Sequence, residues 1–310
     1  MVKESLRGEY GKSLLRIGKK NQNIIVMDAD LAKSTRTNTF GNEFPERFFD
    51  SGLSEQNMVS TAAGISLTGK TVFISSFAVF LTGRVYGQIR QSVCYNNANV
   101  KLVATHSGLG VGEDGATHQA LEDIALMRAL PNMQVIVPAD SVETASVIDY
   151  VADNYGPFYV RLTRSDLQKV NNDDYKFELG KGTVLKDGKD ITIFAIGAMV
   201  EKALKAAEDL SEQSISAAVI NLSSIKPLDT ELILKYAKTT GTVLTVEDHS
   251  VFGGLGGSVS EFLSQNYPVK MKIMGVNNRF GRSGKPEQLY KFYNLDHTDI
   301  NKEAITLLKK

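Results

Sequence analysis

TVFISSFAVFLTGRVYGQIRQSVCYNNANVKLVAT, residues 71–105, decides the fold. A short apolar run opens it at 71–75, another closes it at 100–105, and residues 78–97 between them read as a helix. Both runs are continuous rather than alternating, the pattern of strands buried on both faces of a parallel sheet covered by helices. The same alternation extends outward. Toward the N-terminus, residues 1–20 place Leu6, Tyr10, Leu14 and Ile17 on one helical stripe, followed by a strand at 24–27 and a helix at 55–68. Toward the C-terminus come helix 119–130, strand 134–137, helix 141–154 and strand 158–163. The expected class is α/β, a mainly parallel sheet flanked by helices.

Residues 165–190 (SDLQKVNNDDYKFELGKGTVLKDGKD) interrupt this pattern, being polar and short of apolar periodicity. They divide the chain into a domain at 1–175, a linker at 176–188 and a smaller α/β domain at 189–310. In the second domain strands are expected at 191–196, 215–221, 242–246 and 270–275, with helices at 199–210, 229–238, 256–265 and 299–309. No repeat of 20 to 50 residues is visible.

The 310 residues carry 35 Lys plus Arg against 35 Asp plus Glu, so no global field favours nucleic acid or an anionic membrane. The longest apolar stretch, 191–200, falls far short of the roughly 20 residues that span a bilayer, and the start MVKESLRGEYGK has no signal-peptide apolar region. A cytoplasmic protein is expected. The single cysteine, Cys94, excludes an internal disulfide and reads as a small core residue. Of four histidines, two (His106 and His118) fall in one loop.

Ligands of open parallel sheets bind beyond the carboxyl ends of strands, so the segments there carry most weight. After the first strand, Asp28-Ala29-Asp30-Leu31-Ala32-Lys33-Ser34 groups carboxylates, a lysine and a hydroxyl, a content that on local evidence alone reads as a capped helix N-terminus. Residues 105–118, THSGLGVGEDGATH, combine four glycines with Asp114 and His118, a carboxylate and an imidazole that titrates near neutral pH. Glu55 lies in the first turn of a helix, where a carboxylate complements the dipole. Phe77 and Phe80 at a strand-to-helix junction suit a core, or a platform for a flat ligand. Residues 253–257, GGLGG, resemble a phosphate cradle without matching one and read as a tight turn. Arg279 and Arg282 could face an anion or solvent.

Ser54 to Met58 (SEQNM), residues 63–67 (AGISL), Ser75-Ser76-Phe77, THS at 105–107, GVGEDGATHQ at 110–119, PNM at 131–133 and Leu162-Thr163-Arg164 together resemble transketolase, in the order of that family. They cover the chain to about residue 170, and the remainder resembles the family's C-terminal domain. The resemblance implies a thiamine-diphosphate pyrimidine-binding domain followed by a transketolase C-terminal domain. The family's diphosphate-binding domain has no counterpart, and no Gly-Asp-Gly occurs in the sequence. What is implied is therefore the C-terminal subunit of a split transketolase, working with an N-terminal subunit that holds the diphosphate and Mg2+ (or Ca2+).

By the same resemblance Glu55 is the carboxyl group that bonds the cofactor's pyrimidine ring, with Phe77, Phe80 and Asp30 around it; Gly83 stands where the family usually has a third aromatic. Asp114 and His118 bind the donor's hydroxyls, His118 also moving protons, and Arg7, Ser34, His106 and Arg164 bind phosphate. No residue of this chain is expected to bind metal. The resemblance also implies a two-fold pair of heterodimers, phosphosugar substrates and a role in the pentose phosphate pathway. Three other readings are compatible with parts of the pattern: a 1-deoxyxylulose-5-phosphate synthase, a 2-oxoacid dehydrogenase β subunit, and a metal-dependent hydrolase using His106, Glu113, Asp114 and His118.

Overall fold

A computed structural model describes residues 3–309. Two sheets organise the chain. The larger has seven strands in the order Phe48–Asp50, Ile24–Asp28, Thr71–Phe77, Val100–Ser107, Phe158–Thr163, Gln134–Ile136 and Ser224–Lys226, parallel except for the last. Its register aligns Ile24 with Thr71, Val72 with Val100 and Lys101 with Phe158. Every residue of the strands Thr71–Phe77 and Val100–Ser107 is buried, as their continuous apolar runs require. The smaller sheet runs Lys270–Val276, Thr242–Ser250, Ile191–Ala195, Ala217–Asn221 and Thr183–Lys186, again parallel except for the last.

Helices pack on both faces of the larger sheet. Leu6–Lys20 buries Leu6, Tyr10, Leu14 and Ile17, the stripe read from the sequence, and lies against Ser141–Asp153. Each such side chain contributes about 1.5–3 kcal/mol by leaving water. Ser5 and Asp140 cap these two helices through bonds from the amides of Gly8 and Glu143.

Several boundaries differ from expectation, each for a local reason. The helix expected at 78–97 breaks after Leu81, where Thr82 leaves helical geometry (φ −126°, ψ −74°), and resumes as Tyr86–Gln88 followed by a π-helical turn at Ile89–Cys94. The helix expected at 119–130 contracts to Asp123–Arg128, because Ala120 bridges to Ser107 at the carboxyl end of the strand Val100–Ser107 and its carbonyl accepts from the Gly108 amide. At the N-terminus residues 1 and 2 lie outside the described residues, and Lys3–Glu4 pairs as a strand with Leu167–Gln168.

The expected linker is not free of structure, since Thr183–Lys186 joins the smaller sheet. Polar composition hid it because an edge strand with half-exposed residues needs no apolar run. Ser224–Lys226, from the C-terminal half, completes the larger sheet, so the two halves interlock. Among the described residues no helix is long and apolar enough to cross a membrane.

Candidate active site

The carboxyl ends of the parallel strands deliver the site. Thr71–Phe77 ends at Phe77, Val100–Ser107 carries His106, Phe158–Thr163 is followed by Arg164, and Phe48–Asp50 leads to Glu55 at the start of the helix Glu55–Ser66. Crevices form at such ends because neighbouring crossovers leave in different directions.

A continuous wall of side chains results. Glu55 is buried, and both of its carboxylate oxygens accept from Arg84 Nη1 at 3.1 Å. The Arg84 guanidinium lies 4.6 Å over the Phe80 ring. Phe80 and Phe77 stack with centroids 6.0 Å apart, and the His118 ring meets the Phe80 ring edge-on at 5.4 Å. Phe77 in turn stacks on His106 at 3.7 Å. The far end is cationic: Arg7 Nη1 lies 3.5 Å from His106 Nε2 and donates to the Ser34 carbonyl at 2.8 Å, and Arg7 Nη2 lies 3.5 Å from the Arg164 carbonyl.

Protonation follows from these contacts. An arginine only donates, so His106 Nε2 is an acceptor and the proton sits on Nδ1, 2.9 Å from Thr105 Oγ1. Burial, reinforced by the charges of Arg7 and Arg164, holds His106 down to about 3 and keeps it neutral. Burial and the neighbouring charges of Arg36 and Arg164 likewise lower Arg7. His106 takes a positive φ of 56°, a strained conformation for a residue with a side chain, and Arg7 Nε is buried without a partner. His118 Nδ1 is engaged by Thr117 Oγ1 at 2.9 Å, and its ring meets that of Phe80 at an interplanar angle of 77°.

The structure thus brings together Glu55, Phe77, Phe80, His106, His118, Arg7 and Arg164. Ser34 reaches the cluster through its carbonyl. Asp30 is exposed at φ 63°, its amide bonded to Asp50, while neighbouring Asp28 is buried as the acceptor for Leu31, Thr35 and Thr37. Asp114 is exposed at the end of the 3-10 turn Leu109–Asp114, on the loop that carries His118.

Some sequence features resolve into structural parts. The glycines at 253–257 cradle the protein's own Glu247, whose carboxylate accepts the amides of Leu255 and Gly256. Arg282 lies over the Phe292 ring at 4.6 Å, and both Arg279 and Arg282 are exposed. Burial pushes the Cys94 thiol up to about 11, which suits a core residue. Both ring nitrogens of His106 are engaged within the protein, and among the described residues no group of three or more His, Cys, Asp or Glu is arranged to hold a metal.

Arg84 was not singled out from the sequence, although it directly follows Gly83, the position at which the chain departs from the family pattern. The buried pair Asp123–Arg161, 2.7 Å apart, and Asp248 were missed as well. A usable signal existed in Glu247-Asp248-His249, three titratable residues at the carboxyl end of one strand.

The family model for the pyrimidine binding domain of transketolase matches residues 3–169, and that for the transketolase C-terminal domain matches residues 180–300. A Methanocaldococcus jannaschii protein named for the C-terminal section of transketolase is 49% identical, over 100% of this chain and 98% of its own length. An apulose-4-phosphate transketolase subunit of Phocaeicola vulgatus is 37% identical, covering 98% of this chain and 97% of its own. A solved structure described as a split gene transketolase, inactive beta4 tetramer, superimposes with a TM-score of 0.91 at 47% identity over 99% of both chains.

Proposed function

The chain belongs to the transketolase family, and on that premise we propose that it is the C-terminal subunit of a two-chain transketolase. It would move a two-carbon ketol unit from a ketose phosphate to an aldose phosphate, together with a separate N-terminal subunit. One observation carries the reading: a single wall runs from a buried carboxylate, across two aromatic rings and two imidazoles, to a pair of arginines.

The residues suit the pyrimidine end of thiamine diphosphate, since a planar donor, the Arg84 guanidinium, already fits against both the Phe80 face and the Glu55 carboxylate. When bound, thiamine diphosphate would supply carbanion chemistry for cleaving and forming the bond beside a carbonyl carbon. Glu55 would hold a proton at its carboxylate oxygen against the pyrimidine ring, with Phe77 and Phe80 as walls and Asp30 beside it. His118 Nε2, together with Asp114, would bind the donor's hydroxyls and move a proton as the bond beside the carbonyl breaks. Arg7, Ser34, His106 and Arg164 would hold the phosphate. A guanidinium offers that group bidentate charge-assisted bonds, and neutral His106 would donate to it from Nε2 in the other tautomer, with Arg7 Nη1 turning from His106 to the phosphate.

In this reading residues 1–175 form the pyrimidine-binding unit and 189–310 the C-terminal unit. The N-terminal subunit carries the diphosphate site with Mg2+ (or Ca2+), two heterodimers pair about a two-fold axis, and the enzyme serves cytoplasmic pentose phosphate metabolism. Mixing experiments test it. Alone, the chain is expected to transfer no ketol unit from xylulose 5-phosphate to ribose 5-phosphate, and addition of a purified N-terminal subunit restores transfer. Full activity without a partner overturns the proposal.

A further inference from the structure

We propose that Asp248, in the C-terminal half, is a positioning residue for the sugar-binding loop at 108–119. The proposal rests on the reading of Asp114 and His118 as ligands of the donor. Asp248 lies near the end of the strand Thr242–Ser250 and is only 3% exposed. Its Oδ1 accepts the Leu109 amide at 2.9 Å, and its Oδ2 accepts the Gly110 amide at 3.4 Å and the Tyr290 hydroxyl at 3.0 Å. Its own carbonyl accepts Arg161 Nη2 at 2.9 Å, and Arg161 also bonds the Ala120 carbonyl at the far end of the loop.

The fit is close. A Cβ on Gly108 would stand 2.2 Å from Asp248 Oδ2, and one on Gly110 would stand 2.4 Å from Thr163 Oγ1 and 3.1 Å from the Tyr290 hydroxyl. Gln119 ties the loop's other end down, donating to the Gly112 carbonyl at 3.3 Å and the Arg282 carbonyl at 3.1 Å. Between these anchors, the His118 side chain hydrogen-bonds its neighbour Thr117 while its amide donates to the Gly115 carbonyl within the loop, and Asp114 is exposed. Their placement therefore follows from the anchored ends, together with the Phe80 ring that His118 meets edge-on, and the C-terminal half supplies the carboxylate that anchors the first end. Displacement of a binding group by about 1 Å is enough to weaken a site by orders of magnitude. Asp248 touches none of the groups assigned to substrate or cofactor, so it acts through the loop alone.

The reconstituted two-subunit enzyme provides the test, with the Michaelis constant for xylulose 5-phosphate, the thiamine diphosphate dissociation constant and the melting temperature read on each variant. Asp248→Ala is expected to raise the donor constant about tenfold while cofactor binding stays within about twofold, and Asp248→Asn, which keeps an acceptor for the Leu109 amide, recovers most of the loss. Should Asp248→Ala fail to fold, Tyr290→Phe carries the test, with an expected rise of about two- to threefold in the same constant. An unchanged donor constant overturns the proposal. So does a parallel loss of donor binding, cofactor binding and melting temperature without rescue by asparagine, the mark of interdomain packing alone. Glu55→Gln, run alongside, separates the two levels: full turnover in that variant overturns the underlying assignment of the site.

Discussion

The Arg84 guanidinium meets both oxygens of the Glu55 carboxylate at 3.1 Å while lying 4.6 Å over the Phe80 ring. The pair is asymmetric, with the arginine side chain 47% exposed and the glutamate 3%. Half-exposed pairs contribute about 0–1 kcal/mol, so the guanidinium is held loosely over a carboxylate that burial makes ready for another donor. Arg84→Ala is accordingly expected to shift the melting temperature by no more than about 2 °C and to tighten thiamine diphosphate binding by the two-subunit enzyme up to about fivefold. Calorimetric titration decides it: weaker binding would make Arg84 part of the pyrimidine wall, in the place left by Gly83.

Glu55→Gln keeps shape and hydrogen-bonding capacity but cannot carry a proton. Loss of a proton-transferring group costs about 10²–10⁴-fold in rate. The reconstituted variant should therefore lose at least about 10²-fold in kcat, with cofactor affinity changed only a few-fold. A steady-state assay beside a binding titration separates those effects.

His106 predicts a pH signature. It faces Arg7, Arg164, His118 and Phe77, and its folded value of about 3 lies below the ordinary 6.5. Between those values the unfolded chain takes up a proton that the folded one refuses. The contribution of His106 to stability is thus fully present above pH 6.5 and lost as pH falls, by about 1.4 kcal/mol per unit. Asp28 and Glu247, raised by burial to about 6 and about 7, act in the opposite sense over much of that window and flatten the whole-protein curve. The difference between wild type and His106→Gln isolates the histidine. In urea titrations at pH 7, 6, 5 and 4, the gap in unfolding free energy is expected to narrow steadily, and a constant gap would refute the buried neutral imidazole.

Much of this was legible in residue types. Continuous apolar runs gave the parallel strands, because strands covered on both faces need no polar alternation. The wall from Glu55 to Arg164 was legible only as separate segments, joined through a family resemblance, since strands at 71–77, 100–107 and 158–163 bring their ends together through sheet order rather than through spacing. Thr183–Lys186 escaped notice because an edge strand is half-exposed. Arg84 and Asp248 escaped because their meaning lies in contacts 29 and 139 residues away along the chain.

Gly108 offers a prediction about backbone in the same region. It adopts φ 68°, ψ −163°, a region essentially restricted to glycine, where another residue pays about 1–3 kcal/mol. A methyl group there would also stand 2.2 Å from Asp248 Oδ2, a buried carboxylate oxygen that already accepts an amide and a hydroxyl. Neither partner can yield freely, so Gly108→Ala is expected to destabilise by about 3 kcal/mol or more. Gly257 supplies the contrast: it lies in the helix Leu255–Asn266 without a positive φ, and an added Cβ meets nothing nearer than Arg128 Nη1 at 3.5 Å. There alanine removes backbone freedom from the unfolded chain at no steric cost, so Gly257→Ala should stabilise by about 0.4–1 kcal/mol. Urea unfolding of the two variants beside the wild type checks both signs, and a Gly108→Ala variant as stable as the wild type would show that the loop has more room beside Asp248 than its geometry allows.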